Sequence, residues 1–173
     1  VSRRGQRKIF PARFQLLATS NLRPCGDLVP NKSVNCRFSL MKCRSYLERL
    51  SGPLVDRFSM LSYSHEWDLK NQISLLQMQQ KVRRAQEFAY TQREQYLLNS
   101  QLETEELELQ LEDLVRRESL AYIKGSRRRY LSVLQVARTL ADIEESAEIM
   151  LEHVERAKDF TYRPFQSLQR LFA

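Results

Sequence analysis

From Leu69 to Lys124 the chain has no glycine or proline, and apolar residues fall at helical spacing, as in Leu76, Val82, Ala85, Phe88 and Ala89. Apolar positions three and four apart share one face of an α-helix, so this half is predicted to be helical. Helices are placed at Lys70–Asn99, Glu103–Ile123, Ser126–Ile143 and Ser146–Phe160, each amphipathic and suited to a bundle. Gly125 separates the second from the third. Thr104 with Glu105 and Glu106, and later Ser146, stand where N-caps and dipole-favourable acids belong.

The first third has another pattern. Val1–Arg4 and Arg7–Phe10 flank Gly5-Gln6, a glycine-containing link that predicts a short basic β-hairpin. Phe14-Gln-Leu-Leu-Ala-Thr19 is mostly apolar between Pro11 and Asn21, which suits a strand buried on both faces of an α/β sheet. Pro24, Gly26, Asp27, Pro30 and Asn31 then form a loop, and a helix over Leu40–Leu50 is broken by Ser51-Gly52-Pro53. The predicted fold class is α/β followed by all-α, mostly helical overall. The division falls near Trp67 and Tyr63-Ser64-His65, giving domains 1–65 and 66–173.

Composition bounds the chemistry. The chain has 173 residues and 42% hydrophobic residues, which suits a folded module and excludes wholesale disorder. No apolar run approaches the ~18 residues of a membrane span, so no membrane partner is expected. Val1 in place of Met, with no signal-like stretch after it, is expected for a chain that begins inside a longer product. Cys25, Cys36 and Cys43 are an odd number without a secretory signal, so reduced thiols and a cytoplasmic location are expected. Charge is uneven: the formal net charge is +7, whereas eleven Lys/Arg and two acids before residue 51 make that segment alone +9. Such a block attracts polyanions such as nucleic acid or nucleotide phosphates. An acidic protein partner would suit it equally.

Three segments carry a resemblance. Phe10-Pro-Ala-Arg-Phe-Gln-Leu, Arg49-Leu-Ser-Gly-Pro-Leu-Val-Asp-Arg-Phe58 and Ser126-Arg-Arg-Arg-Tyr130, with Val136-Ala-Arg-Thr-Leu-Ala-Asp142 beyond, are similar in text and order to magnesium-chelatase-like AAA+ ATPases. The branch they most resemble is that of the ComM/YifB competence proteins. The resemblance covers nearly the whole chain and implies the C-terminal portion of a nucleotide-binding α/β domain, with hairpin and sensor-1 strand, followed by a helical lid.

The resemblance also assigns roles. It implies that Asn21 is the sensor-1 residue, Arg57 the arginine finger directed at a neighbouring subunit's nucleotide, and Arg128 the sensor-2 residue of the lid. A guanidinium suits this work because its planar fork can bind two phosphoryl oxygens at once. Arg138 is expected to be structural. In the wider clade a hairpin points into a central pore, so Arg3, Arg4, Arg7 and Lys8 become candidate nucleic-acid contacts that grip phosphates without reading bases. The resemblance implies a ring-forming homo-oligomer, a hexamer, that uses ATP and Mg²⁺ to remodel a substrate. In the competence branch that substrate is DNA, with branch migration as the implied activity.

The chain also departs from the family. Two of the four cysteines of a zinc knuckle are missing, so no metal is expected, with Cys25, Cys36 and Cys43 the residual candidates and His65 a remote one. Ser59 stands where the family usually has Asp. No phosphate-binding G-x-x-x-x-G-K-[ST] loop and no apolar run ending in Asp-Glu is present, so this stretch alone is expected not to hydrolyse ATP. The competing reading is a non-enzymatic helical interaction module whose arginines are incidental.

Overall fold

The computed structural model describes residues 2–3, 6–7, 14–21, 38–39, 41–42, 45, 52–63, 72–116 and 126–170. These are mostly helical. The strands among them are a single antiparallel pair, β1 (Ser2–Arg3) and β2 (Gln6–Arg7), with Ser2 opposite Arg7 and Arg3 opposite Gln6. This is the expected hairpin, with the two residues left between the pairs being 4 and 5 rather than Gly5-Gln6. Residues 14–19, expected as a buried strand, carry no strand, and Phe14, Leu16 and Leu17 are exposed. A strand apolar on both faces forms only between neighbouring strands, and none flanks it among the described residues.

Six helices are described from end to end, α1 (Gly52–Val55), α2 (Leu75–Arg93), α3 (Thr104–Glu108), α4 (Arg127–Ile143), α5 (Leu151–Thr161) and α6 (Arg163–Arg170), and residues 113–116 are helical as well. A 3₁₀ turn, Asn99–Gln101, sits between α2 and α3. α1 occupies the site read as a breaker, because proline is well tolerated in a first helical turn. The helix expected over Leu40–Leu50 is seen only as helical residues 41, 42 and 45, the rest lying outside the described residues. The expected domain division near 65 also lies outside them, as do Gly125 and Trp67.

Local chemistry sets the helix ends. Ser74 Oγ accepts from the Gln77 amide at 3.2 Å while Gln77 Oε1 accepts from the Ser74 amide at 2.8 Å, a reciprocal capping box that starts α2. α2 ends at Glu94, whose φ of 49° places it in the left-handed region. Ser126 caps α4 through the Arg129 amide at 3.2 Å, as its position predicts. Ser146 does not cap α5. Its Oγ donates instead to the Glu148 carbonyl at 2.7 Å, and the helix begins after Met150.

The core joins α3, α4 and α5. Leu107, Val115, Val133, Leu134, Ala137, Ile149, Val154 and Ala157 are fully buried. Burying such aliphatic side chains stabilises by about 1.5–3 kcal/mol each before entropy is counted. Leu111 and Ile149 form an isolated parallel bridge, with the Ile149 amide donating to the Gln110 carbonyl at 2.8 Å. This pairing across 38 positions turns the backbone after Glu108 and interrupts the helix expected over Glu103–Ile123.

Candidate arginine-bearing site

The site is built on the turn that follows α1. The Arg57 amide donates to the Leu54 carbonyl at 3.0 Å and the Phe58 amide to the Val55 carbonyl at 3.2 Å. These bonds close a tight turn with the Arg57 side chain exposed.

A second arginine holds that turn to the helical bundle. Arg129, from the first turn of α4, is 6% exposed. Its Nη1 donates to the carbonyls of Phe58 at 2.8 Å and Thr161 at 3.2 Å, and its Nη2 reaches the Val55 carbonyl at 3.4 Å. The guanidinium lies 3.6 Å from the centroid of the Phe165 ring on α6. Burial pulls its pKa below the usual arginine value, opposed by the Asp56 carboxylate and reinforced by Arg128. A planar cation saturated by carbonyls, an aromatic face and a carboxylate 3.6 Å away thus clamps both sides of Arg57. Two further bonds seat this segment: the Leu61 amide donates to the Phe160 carbonyl at 2.8 Å, and Tyr63 Oη to the Pro164 carbonyl at 3.0 Å.

Arg128 is brought to the same place. Its Nη1 lies 3.4 Å from Asp56 Oδ2 with more than half of its side chain exposed, and Ser126 Oγ donates to Asp56 Oδ1 at 3.2 Å. The turn carrying Arg57 and the start of α4 carrying Arg128 therefore meet at one carboxylate. Asn21 is also exposed. Its described contact is a hydrogen bond that its carbonyl accepts from Ser20 Oγ at 3.2 Å, and none joins it to Asp56 or Arg128. The side chains of Arg3 and Arg7 on the hairpin, and Arg4, Lys8, Cys25, Cys36, Cys43 and His65 entirely, lie outside the described residues.

Exposed guanidiniums such as those of Arg57 and Arg128 fit phosphate oxygens. Elsewhere Glu144, Glu152 and His153 bring three donor atoms within 4.8 Å of one another. His153 Nδ1 accepts from the Met150 amide at 3.0 Å, its Nε2 faces Glu144 at 3.0 Å, and Arg156 donates to the same carboxylate. These bonds engage Glu144 and His153 and join the C-terminal cap of α4 to α5. A cavity of about 490 Å³, lined by Arg93, Tyr96, Leu102 and Glu106 among others, contains none of the candidate residues.

Arg138, expected to be structural, is fully buried. Its Nε donates to Asp142 Oδ1 at 3.1 Å and its Nη1 to the Ala147 carbonyl at 2.8 Å, while Nη2 reaches the Ser146 carbonyl. Desolvation pushes its pKa down to about 10 despite the opposing Asp142. Arg129, by contrast, was hidden in the Arg127-Arg128-Arg129 run. A usable signal existed, since Arg129 lies four residues before Val133 and eight before Ala137, on the buried stripe of α4.

Residues 1–71 match the family described as magnesium chelatase, subunit ChlI, and residues 73–163 match the C-terminal part of that subunit. The chain belongs to this family. It is 31% identical over 172 residues to the uncharacterised protein YifB of Escherichia coli, covering 92% of this chain and 33% of YifB. It is likewise 31% identical over 172 residues to the competence protein ComM of Haemophilus influenzae, covering 91% of this chain and 32% of ComM. The YifB of Salmonella typhimurium is 33% identical over 190 residues, covering 100% of this chain and 36% of that protein. The chain thus falls in the ComM/YifB branch and spans about a third of the length of these relatives.

Proposed function

We propose that this chain is the C-terminal portion of a ring-forming AAA+ ATPase that couples ATP hydrolysis to remodelling of DNA. Its division into the end of an α/β nucleotide-binding domain (residues 1–65) and a helical lid (66–173) belongs to the same reading. The observation that carries it is the exposed Arg57 on a turn clamped by a buried Arg129, beside an exposed Arg128. Such a turn presents a guanidinium outward while fixing its backbone, as an arginine supplied to a neighbouring subunit's nucleotide requires. ATP with Mg²⁺ supplies the transferable phosphoryl group and most of its charge neutralisation. This chain contributes Arg57 in trans, Arg128 from the lid once released from Asp56, and Asn21 to orient the attacking water. The basic residues Arg3, Arg4, Arg7 and Lys8 grip the phosphate backbone of DNA in the pore. Competence in the name of the ComM relative agrees with a DNA substrate.

The test is an ATPase assay on the complete protein, with and without DNA. DNA-stimulated hydrolysis in the wild type, reduced about a thousandfold or more by Arg57→Ala, supports the motor. Unchanged hydrolysis in Arg57→Ala refutes the assignment. Absence of any nucleotide turnover favours the interaction module instead.

A further inference from the structure

Helix α2 carries a seam that it only half uses. Leu75, Met78, Val82, Ala85 and Ala89 recur at alternating spacings of three and four, the a/d pattern by which one helix packs along another, and Arg93 follows one turn further on the same side. The C-terminal end of this seam is covered: Ala85 is buried and Arg93 Nη2 binds Asp142 on α4 at 2.9 Å. Over the first two turns the same seam is bare, with Leu75 71%, Met78 49% and Val82 55% exposed. The capping box at Ser74 satisfies the N-terminal end of these turns. The flanking charges are Lys81, Arg83 and Arg84, all exposed, with no acid until Glu87.

One other stretch of this chain has the opposite composition. Residues 103–113 hold Glu103, Glu105, Glu106 and Asp113 as exposed acids and contain no base. Leu109 is 79% exposed, and Leu114 beside it 51%. The pairing of Glu105 with Arg127 joins two highly exposed side chains, a weak contact that competes little with a better partner.

We propose that the bare basic seam of α2 docks on the acidic, leucine-bearing ridge 103–114 of a second copy of this chain. A duplex or single strand of nucleic acid would neutralise Lys81, Arg83 and Arg84 but leave Leu75, Met78 and Val82 without an apolar surface to cover them. The acidic ridge offers both complements at once, and two different patches meeting in this way form a head-to-tail contact that can close into a ring. The inference rests on the ring-forming reading above and adds a lid-to-lid contact to it.

The test uses the complete protein with ATP, with assembly followed by sedimentation velocity. K81E/R83E/R84E and E103K/E105K/D113K should each weaken self-association by about tenfold or more, and an equimolar mixture of the two should restore it. All six positions are exposed, so circular dichroism should be unchanged for both. Wild-type rings that persist in both triple variants, or a mixture that fails to reassemble, overturn the docking surface while leaving the motor reading intact. A first triple variant that assembles normally but loses DNA binding also overturns it and assigns the seam to nucleic acid. A wild type that never assembles overturns both readings.

Discussion

Three consecutive arginines at the start of α4 have three different physical fates. Arg127 is exposed and pairs with an exposed Glu105, Arg128 shares Asp56 at 3.4 Å, and Arg129 is buried against three carbonyls and an aromatic ring. Removing a buried hub leaves its acceptors unpaired inside the fold, whereas water replaces the contacts of an exposed arginine. Arg129→Met should therefore lower stability by about 2–4 kcal/mol in urea unfolding. Arg57→Ala should change it by less than about 0.5 kcal/mol. If the two lose equal stability, Arg57 is a structural residue rather than a presented one. Arg138 is the stricter case. It is fully buried with Asp142, which also accepts from Arg93 at 2.9 Å and from Asn99 at 2.7 Å. Asp142→Ala strands two guanidiniums in the interior and should cost about 3–5 kcal/mol by the same measurement. In sequence, Arg129 and Arg138 both sit on the apolar stripe of α4, so their burial was legible from spacing. The partners of Arg129 were not, because Phe58 and Asp56 lie some 70 positions away, whereas Arg138 bonds Asp142 one turn along its own helix.

At the scale of elements, what could be read depended on whether the determinants were local. The bounds of α4 follow from Ser126 and the run to Ile143, and the structure places the helix one residue inside the expected start. α2 is shorter than its pattern at both ends, because the capping box at Ser74 and the left-handed Glu94 outrank an apolar spacing that runs on through Leu97 and Leu98, both exposed. Ser74→Ala should fray the first turns, raising amide exchange there at a cost of about 1 kcal/mol of local stability. The late start of α5 was not legible. Buried Arg138 holds the carbonyls of Ser146 and Ala147, and Ile149 pairs with Gln110, so tertiary bonds keep residues 146–149 out of the helix. Ion pairs then tie α5 to its neighbours. Hydrogen bonding from Arg156 holds Glu144 below its ordinary 4.5, and hydrogen bonding from Lys158 does the same for Glu155. A carboxylate with a depressed folded-state pKa stabilises above 4.5 and loses that contribution as pH falls through its lower folded value. Thermal unfolding should therefore show a midpoint that falls on acidification below about 4.5, with a shallower fall in Glu144→Gln and Glu155→Gln.

Across the whole molecule, charge was legible at once and geometry was not. The +9 segment before residue 51 shows in the sequence, and the structure adds a basic hairpin, with Arg3 opposite Gln6 and Ser2 opposite Arg7. The run Phe14–Thr19 shows the limit, since an apolar hexamer becomes a strand only when a sheet receives it. Likewise, the pairing of Arg128 with Asp56, the residue before Arg57, depends on a fold that brings positions 56 and 128 together, which no local pattern encodes. The proposed DNA contact can be separated from general basicity by its dependence on salt. Each phosphate neutralised releases condensed counterions, so the logarithm of affinity falls with the logarithm of salt by about 0.9 per contact on duplex and about 0.7 on a single strand. If Arg4 and Arg7 both touch phosphates, Arg4→Ala with Arg7→Ala should flatten that slope by about 1.4 to 1.8 and weaken all DNA sequences alike. Reversing Lys81, Arg83 and Arg84 should leave the slope per protomer unchanged if the α2 seam faces protein. A slope unmoved by the hairpin variant but reduced by the α2 variant would shift the nucleic-acid surface from the hairpin to the lid.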